Sequence, residues 1–282
     1  MLSVRYKAAL PFVVAVALGG LSPVSAGDEF GLWSELGVEK SYNKKFSLEA
    51  ELGFRANDNL RSVARFNLGL GAAYKPVKGL KFGAGYIFIS QHYPGETKVH
   101  FNSAGNWNGF NADQNFWRSK HRFYVDVTGK KDIGRVTISL RERYQATCFQ
   151  TANVDRDKYR GVVTEAYEGA KLYGEYDGVG RWFALDEAVV DHKAAKTKHY
   201  LRSRIGVEWN IRHSPVDPFA TFEISNNLSH GFSLDKRRWS VGADWKIKKK
   251  HVVTLAYVYT NGDDDDDEGN LHAISIGYKY KF

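Results

Sequence analysis

From Phe30 onward the chain repeats one arrangement, runs of roughly ten residues alternating between apolar and polar or glycine positions. Phe46–Phe54 puts Phe46, Leu48, Ala50, Leu52 and Phe54 on one face and Ser47, Glu49, Glu51 and Gly53 on the other. In Ala64–Tyr74 the outward set is Ala64, Phe66, Leu68, Leu70, Ala72 and Tyr74, against Arg65, Asn67, Gly69, Gly71 and Ala73. A period of two means strand, because successive side chains point to opposite faces. About 9–11 tilted residues suffice to cross a bilayer. The pattern predicts an all-β chain: a transmembrane antiparallel β-barrel of about 10–12 strands with lipid outside and a polar lumen.

A soluble β-sandwich also alternates, so the turns must arbitrate. Around Lys130–Asp132, Val127 falls opposite Val136, Val125 opposite Ile138 and Phe123 opposite Leu140. Around Pro76–Lys78, Tyr74 meets Leu80, Ala72 meets Phe82 and Leu68 meets Tyr86; around Lys248–Lys249, Trp245 meets Val253, Ala243 meets Leu255 and Trp239 meets Tyr259. Outward faces meet outward faces in each hairpin. The last run, Leu271–Phe282, ends with Tyr278, Tyr280 and Phe282 on its apolar face. That ending resembles the signal read by the outer-membrane barrel assembly machinery.

With Phe282 at the periplasmic end, the connections sort by side. The short turns at Asn43–Lys45, Pro76–Gly79, Gly129–Ile133, Arg212–Val216 and Lys248–Lys250 face the periplasm. The long ones, about 91–119, 149–197, 227–236 and 261–270, face outside. About eleven runs sit awkwardly with the even strand numbers of bacterial single-chain barrels. Either the first run closes the barrel in an unusual way, or one strand is missed or counted twice.

The N-terminus does not share the alternation. A basic start with Arg5 and Lys7, an apolar stretch Ala8–Leu21 and the small-residue site Val24–Ala26 read as a secretory signal peptide over residues 1–26. The barrel then occupies 27–282, and the formal charge of +8 falls by two to +6. Tyr, Phe, Trp and Gly are abundant, whereas Pro, Met and Cys are scarce. Neither a disulfide scaffold nor a helical protein has that balance, and the lone Cys148 has no internal bridging partner. The expected location is the outer membrane of a Gram-negative bacterium. Its lipids, its lipopolysaccharide and the assembly machinery are the expected partners, and nucleic acid is not.

The inward faces are dense with charge of both signs. Arg141, Arg143, Arg202 and Arg204, on runs expected to be neighbours, share the lumen with Glu49, Glu51, Glu208 and Asp244, and Asp126, Glu223 and Arg238 belong to the same set. Facing charges in so narrow a barrel predict a salt-bridged plug. The rival is a narrow channel for ions or small solutes lined by a basic stripe.

Three further features could carry function. The expected register sets outward His121 across from Glu142, with outward Ser203 on the next run. Serine, histidine and acid facing lipid are the parts of a lipid hydrolase, yet the acid lies between the other two, and a cross-strand ion pair explains the same residues. The acidic run Asp263, Asp264, Asp265, Asp266, Asp267 and Glu268 offers oxygen ligands to a hard cation. It lacks the spacing of a defined site, and a solvated charge run accounts for it. The loops 91–119 and 149–197 are rich in amides and aromatics, among them Trp107, Phe110, Tyr159, Tyr173 and Trp182, and Asp186–Lys196 reads as a short helix. Such loops suit contact with a glycan or small solute, and equally packing on each other. There is no phosphate loop, zinc spacing or dinucleotide fingerprint, and no cofactor is implied.

Several segments together carry a resemblance. They are Phe30-Gly-Leu-Trp33, Tyr42-Asn-Lys-Lys45, Arg55-Ala-Asn-Asp58, His121-Arg-Phe-Tyr124, Leu140-Arg-Glu-Arg-Tyr144, Tyr200-Leu-Arg-Ser-Arg204 and Gly277-Tyr-Lys-Tyr-Lys-Phe282. In this order they resemble the domain of unknown function 2490 family, outer-membrane barrels of Bacteroides-type bacteria. The two long loops look like insertions relative to shorter members. The resemblance implies a fold and a location, and brings no catalytic residue with it.

Overall fold

The structure is a computed structural model that describes residues 29–57, 59–164, 166, 168–176, 178–248, 250–262 and 270–282. The expected signal peptide, residues 1–26, and the acidic run Asp263–Glu268 lie outside the described residues. The strands are β1 (Glu29–Ser41), β2 (Phe46–Asn57), β3 (Ser62–Tyr74), β4 (Leu80–Tyr93), β5 (Glu96–Phe101), β6 (Trp107–Asp113), β7 (Phe116–Ile133) and β8 (Val136–Phe149). They continue as β9 (Ala152–Val163), β10 (Ala170–Tyr173), β11 (Arg181–Lys193), β12 (Lys196–Trp209), β13 (Val216–Asn227), β14 (Ser233–Ile247), β15 (His251–Asn261) and β16 (Leu271–Lys281). The chain divides into two compact units, the second made of Gln91–Ser119 and Phe149–Lys196.

The first unit is a closed barrel of eleven strands, in the order β1-β16-β15-β14-β13-β12-β8-β7-β4-β3-β2. Eleven is odd, so first and last strands run the same way, and the ring closes through a parallel pairing of β1 with β16, from Glu29 opposite Leu271 to Glu39 opposite Lys281. The pairs β1–β2, β2–β3, β12–β13, β13–β14, β14–β15 and β15–β16 are antiparallel. Closure by the first run thus resolves the strand-number conflict, and a closed ring leaves no unpaired edge.

The distribution of side chains is inverted relative to a water-soluble core. Outward Leu140 and Val125 are each 55% exposed and Leu255 58%, while inward Arg65, Arg122 and Glu223 are 5%, 4% and 5% exposed. Small inward residues make room for the large ones: a Cβ on Gly85 would sit 2.6 Å from the Leu70 carbonyl oxygen and against the Tyr124 hydroxyl.

The β14–β15 hairpin pairs Trp245 with Val253, Ala243 with Leu255 and Trp239 with Tyr259, the expected register. The β7–β8 hairpin differs. Its reversal lies at Gly134–Arg135, not within Gly129–Ile133, because Gly134 takes the left-handed φ of +62° that a two-residue turn favours. Cross-strand contacts agree: Arg122 Nε donates to Thr147 Oγ1 at 3.0 Å and Arg143 donates to Asp126. The outward faces still match, but each expected partner is displaced along the strand.

The second unit is a five-stranded sheet, β10-β11-β9-β6-β5, where irregular loops were expected. The expected helix over 186–196 is instead mostly strand, β11, paired antiparallel with β9 through Val189–Arg156 and Asp191–Val154. Local spacing there suits either element, and the partner strand decides it. Phe110 and Phe183, both fully buried, form the core with Ala112. Phe110 stacks on Tyr159 at 4.6 Å and on Tyr173 at 4.7 Å between ring centroids.

Candidate functional site

A cavity of about 500 Å³ lies in the lumen. Arginines line it from six strands: Arg55 and Arg65 on β2 and β3, Arg122 on β7, Arg141 and Arg143 on β8, Arg202 and Arg204 on β12, and Arg238 on β14. Lys81 and Lys279 also line it, and the acids are Glu35, Glu49, Glu51 and Glu223. Alternation aims all of these inward, and the adjacency of β8 and β12 sets the arginine pairs side by side.

Glu223 is the hub of one wall. Arg141 Nη2 donates to its Oε2 at 2.6 Å, Arg202 Nε donates to its Oε1 at 3.2 Å, and Arg238 Nη1 stands 3.5 Å away. Arg204 is opposite Glu223 in the β12–β13 register, as Arg238 is in β13–β14. Arg143 makes a forked contact with Asp126 Oδ2, at 3.0 Å from Nε and 2.6 Å from Nη2, and lies 3.9 Å over the Tyr124 ring. Five guanidiniums thus gather around two carboxylates. The opposite-sign group, Glu35, Glu49 and Glu51, stands on β1 and β2, where Lys279 Nζ is 4.0 Å from Glu49 Oε2.

Glu208 and Asp244 do not join the arginine wall. Lys246 Nζ contacts Glu208 Oε1 at 3.2 Å, and Asp244 Oδ1 accepts from Thr254 Oγ1 at 2.6 Å. Asp217, which the sequence reading passed over, is buried and also binds Lys246. Its odd number, shared with Glu223 on β13, was the available signal.

The outward trio does not assemble as expected. The displaced β7–β8 register takes Glu142 away from His121, and Glu142 instead accepts a 2.6 Å hydrogen bond from Ser203. His121 Nδ1 is 2.7 Å from the Tyr86 hydroxyl. No hydrogen bond joins His121 to Glu142 or Ser203 among the described residues, so no relay is formed. His121 is one of a series: Tyr144 with His199 and Tyr278 with His251, both at 2.8 Å, and Tyr257 with His272, are hydrogen-bonded pairs across neighbouring strands. The sequence reading missed this series, which only strand pairing makes visible. At the chain end Tyr280 packs edge-on against Phe282 at 4.7 Å, Phe282 donates its amide to the Glu39 carbonyl, and Lys40 Nζ lies 5.3 Å from the Phe282 ring centre.

In the second unit Arg156 is gripped by two carboxylates. It makes a forked contact with Asp113, 2.8 Å from Nη2 to Oδ2, and Nη2 lies 2.9 Å from Asp191 Oδ2. The hydrogen bond from Arg156 holds the Asp113 carboxyl below its ordinary range, and that from Lys193 does the same for Asp191. No group of three or more metal-ligating side chains occurs among the described residues.

The model of a protein family of unknown function, DUF2490, matches residues 30–270. No curated protein sequence matches the chain.

Proposed function

For this chain, which belongs to the DUF2490 family, we propose an integral outer-membrane barrel whose lumen is closed by ion pairs and whose second unit serves at the cell surface as a ligand-facing or structural element. The inversion of polarity carries the reading. A closed ring with leucine, valine and phenylalanine exposed outside and arginine and glutamate buried inside suits a lipid solvent and no aqueous one. The Tyr–His pairs fit the same picture, since aromatic residues with a polar tip favour the boundary between hydrocarbon and water. His121, Glu142 and Ser203 then act as boundary and cross-strand contacts. Tyr278, Tyr280 and Phe282 form the end strand that the assembly machinery reads.

Closure follows from the Glu223 hub: arginines from β8, β12 and β14 converge on one carboxylate carried by β13 and draw side chains into the lumen. A second reading, a narrow anion-selective channel, is favoured by the excess of cations lining the cavity. Planar-bilayer conductance of detergent-refolded protein separates the two, with folding verified by heat-modifiable gel mobility. We expect silent bilayers from protein that partitions into the detergent phase. Steady channels whose selectivity changes in Arg141→Ala and Arg202→Ala would establish the channel instead, and partition into the aqueous phase would overturn membrane insertion altogether.

A further inference from the structure

Resting on the closed-lumen reading, we propose that the arginine wall of the barrel cavity is a binding site for a small polyanion bearing phosphate or carboxylate groups. On this wall Arg141, Arg143, Arg202, Arg204 and Arg238 gather near Glu223 and Asp126, and the cavity lining as a whole carries ten arginines and lysines against four glutamates. Buried charge is tolerated when it is paired and hydrogen-bonded, and a surplus of guanidiniums gathered at one place is not. The acids elsewhere around the cavity, Glu35, Glu49 and Glu51, do not remove the surplus, because Arg55, Arg65, Lys81, Arg122 and Lys279 line it as well.

The geometry also leaves donors for a ligand. Arg204 makes no hydrogen bond or ion pair within 4 Å with any described residue, although it stands opposite Glu223 in the strand register. Arg141 gives Nη2 to Glu223 while its Nε has no partner among the described residues. Guanidinium forks match the paired oxygens of phosphate and carboxylate, which is why arginine and not lysine dominates such sites. A space of about 500 Å³ is within the range of cavities that hold small molecules. The Glu223 carboxylate fixes three of the arginines in place, so the site is organised before any anion arrives.

The test uses the full mature chain refolded in detergent in chloride buffer, free of phosphate and polycarboxylates. Pyrophosphate and citrate are titrated separately by calorimetry. We expect one saturable site for at least one probe, the tighter probe identifying phosphate or carboxylate as the preferred group. Arg204→Gln weakens it about tenfold, the loss of one charge-assisted contact, and Arg204→Lys restores part of the binding. Heat-modifiable mobility confirms that each variant is folded, and Arg141→Lys, which keeps the charge beside Glu223, serves if Arg204→Gln does not fold. Absence of saturable binding to either probe, or equal binding by folded Arg204→Gln, overturns the site. Reconstitution into vesicles distinguishes this failure from a deeper one: a chain that inserts but does not bind loses only the anion site, whereas a chain that does not insert loses the membrane reading beneath it.

Discussion

The barrel and the inserted sheet are built from the same residues turned opposite ways. In the barrel the arginine–carboxylate pairs lie inside, as in Arg141–Glu223 and Arg143–Asp126, and the large apolar side chains lie outside. In the sheet Phe110 and Phe183 are fully buried, and pairs such as Lys158–Glu187 stay in reach of water. Both are antiparallel β-structure with period-two strands, so alternation alone does not say which face is the core. What differs is where polarity gathers, the difference expected if water surrounds the sheet and, as proposed, lipid surrounds the barrel: water rewards burying the rings, lipid rewards burying the charges.

The largest effects should come from emptying each core in turn. Glu223→Ala leaves Arg141, Arg202 and Arg238 gathered without their shared carboxylate, a loss on the order of 4 kcal/mol for breaking a buried pair from one side. The temperature at which the barrel loses its compact gel mobility falls accordingly. Phe110→Ala empties the aromatic cluster at a similar cost, on the order of 4 kcal/mol, yet its signature differs. Limited proteolysis should then cut within 91–119 and 149–196 while the gel mobility of the barrel is kept. If either substitution gave the other's signature, the two units would not have separate cores.

A smaller effect tests the outer surfaces. Leu140→Arg places a charge on the outward face of β8 and should destabilise the barrel in vesicles by roughly 2–4 kcal/mol if it lies near the bilayer midplane. Val190→Arg, at a sheet position 49% exposed and paired with Asp155, should change stability by no more than about 0.5 kcal/mol. Denaturant titration of vesicle-inserted protein measures both. Equal, small changes at the two sites would mean that the barrel exterior is not in lipid.

Alternation made the barrel legible because a ten-residue strand with one apolar and one polar face cannot hide its period. The turn after β7 was harder to place. Gly129, Lys130 and Lys131 have turn chemistry, but they extend the strand, and the reversal waits for Gly134. That slip misassigned Glu142 to His121, whereas the β14–β15 register was read as it stands. The inserted sheet was the least legible, since β6, β9 and β11 find each other across long stretches of chain and leave no local trace. In the lumen, parity alone identifies who points inward. The gathering of three arginines on Glu223 depends on closure of the ring, as the separation of Glu208 and Asp244 from that wall depends on depth along it.

The smallest predicted effect is electrostatic, and it belongs to the sheet. Asp113 and Asp191 have folded-state pKa values below their ordinary value of 3.8, each held there chiefly by a hydrogen bond from its cationic partner. A depressed folded value means that the unfolded chain takes up protons first as the solution is acidified. The stabilisation is therefore complete above about pH 4–5 and is lost progressively as pH falls through 3.8 and below. Asp113→Asn removes the charge on one side of the fork to Arg156 and should cost on the order of 0.5–1 kcal/mol at neutral pH, as a partly exposed pair does. It should also flatten the acid limb of the sheet's stability, read from proteolysis of 91–119 and 149–196 with an acid-active protease. Glu223→Ala offers the contrast, because it weakens the barrel and leaves that limb unchanged. An acid limb just as steep in Asp113→Asn would show that the Arg156 clasp does not hold the sheet.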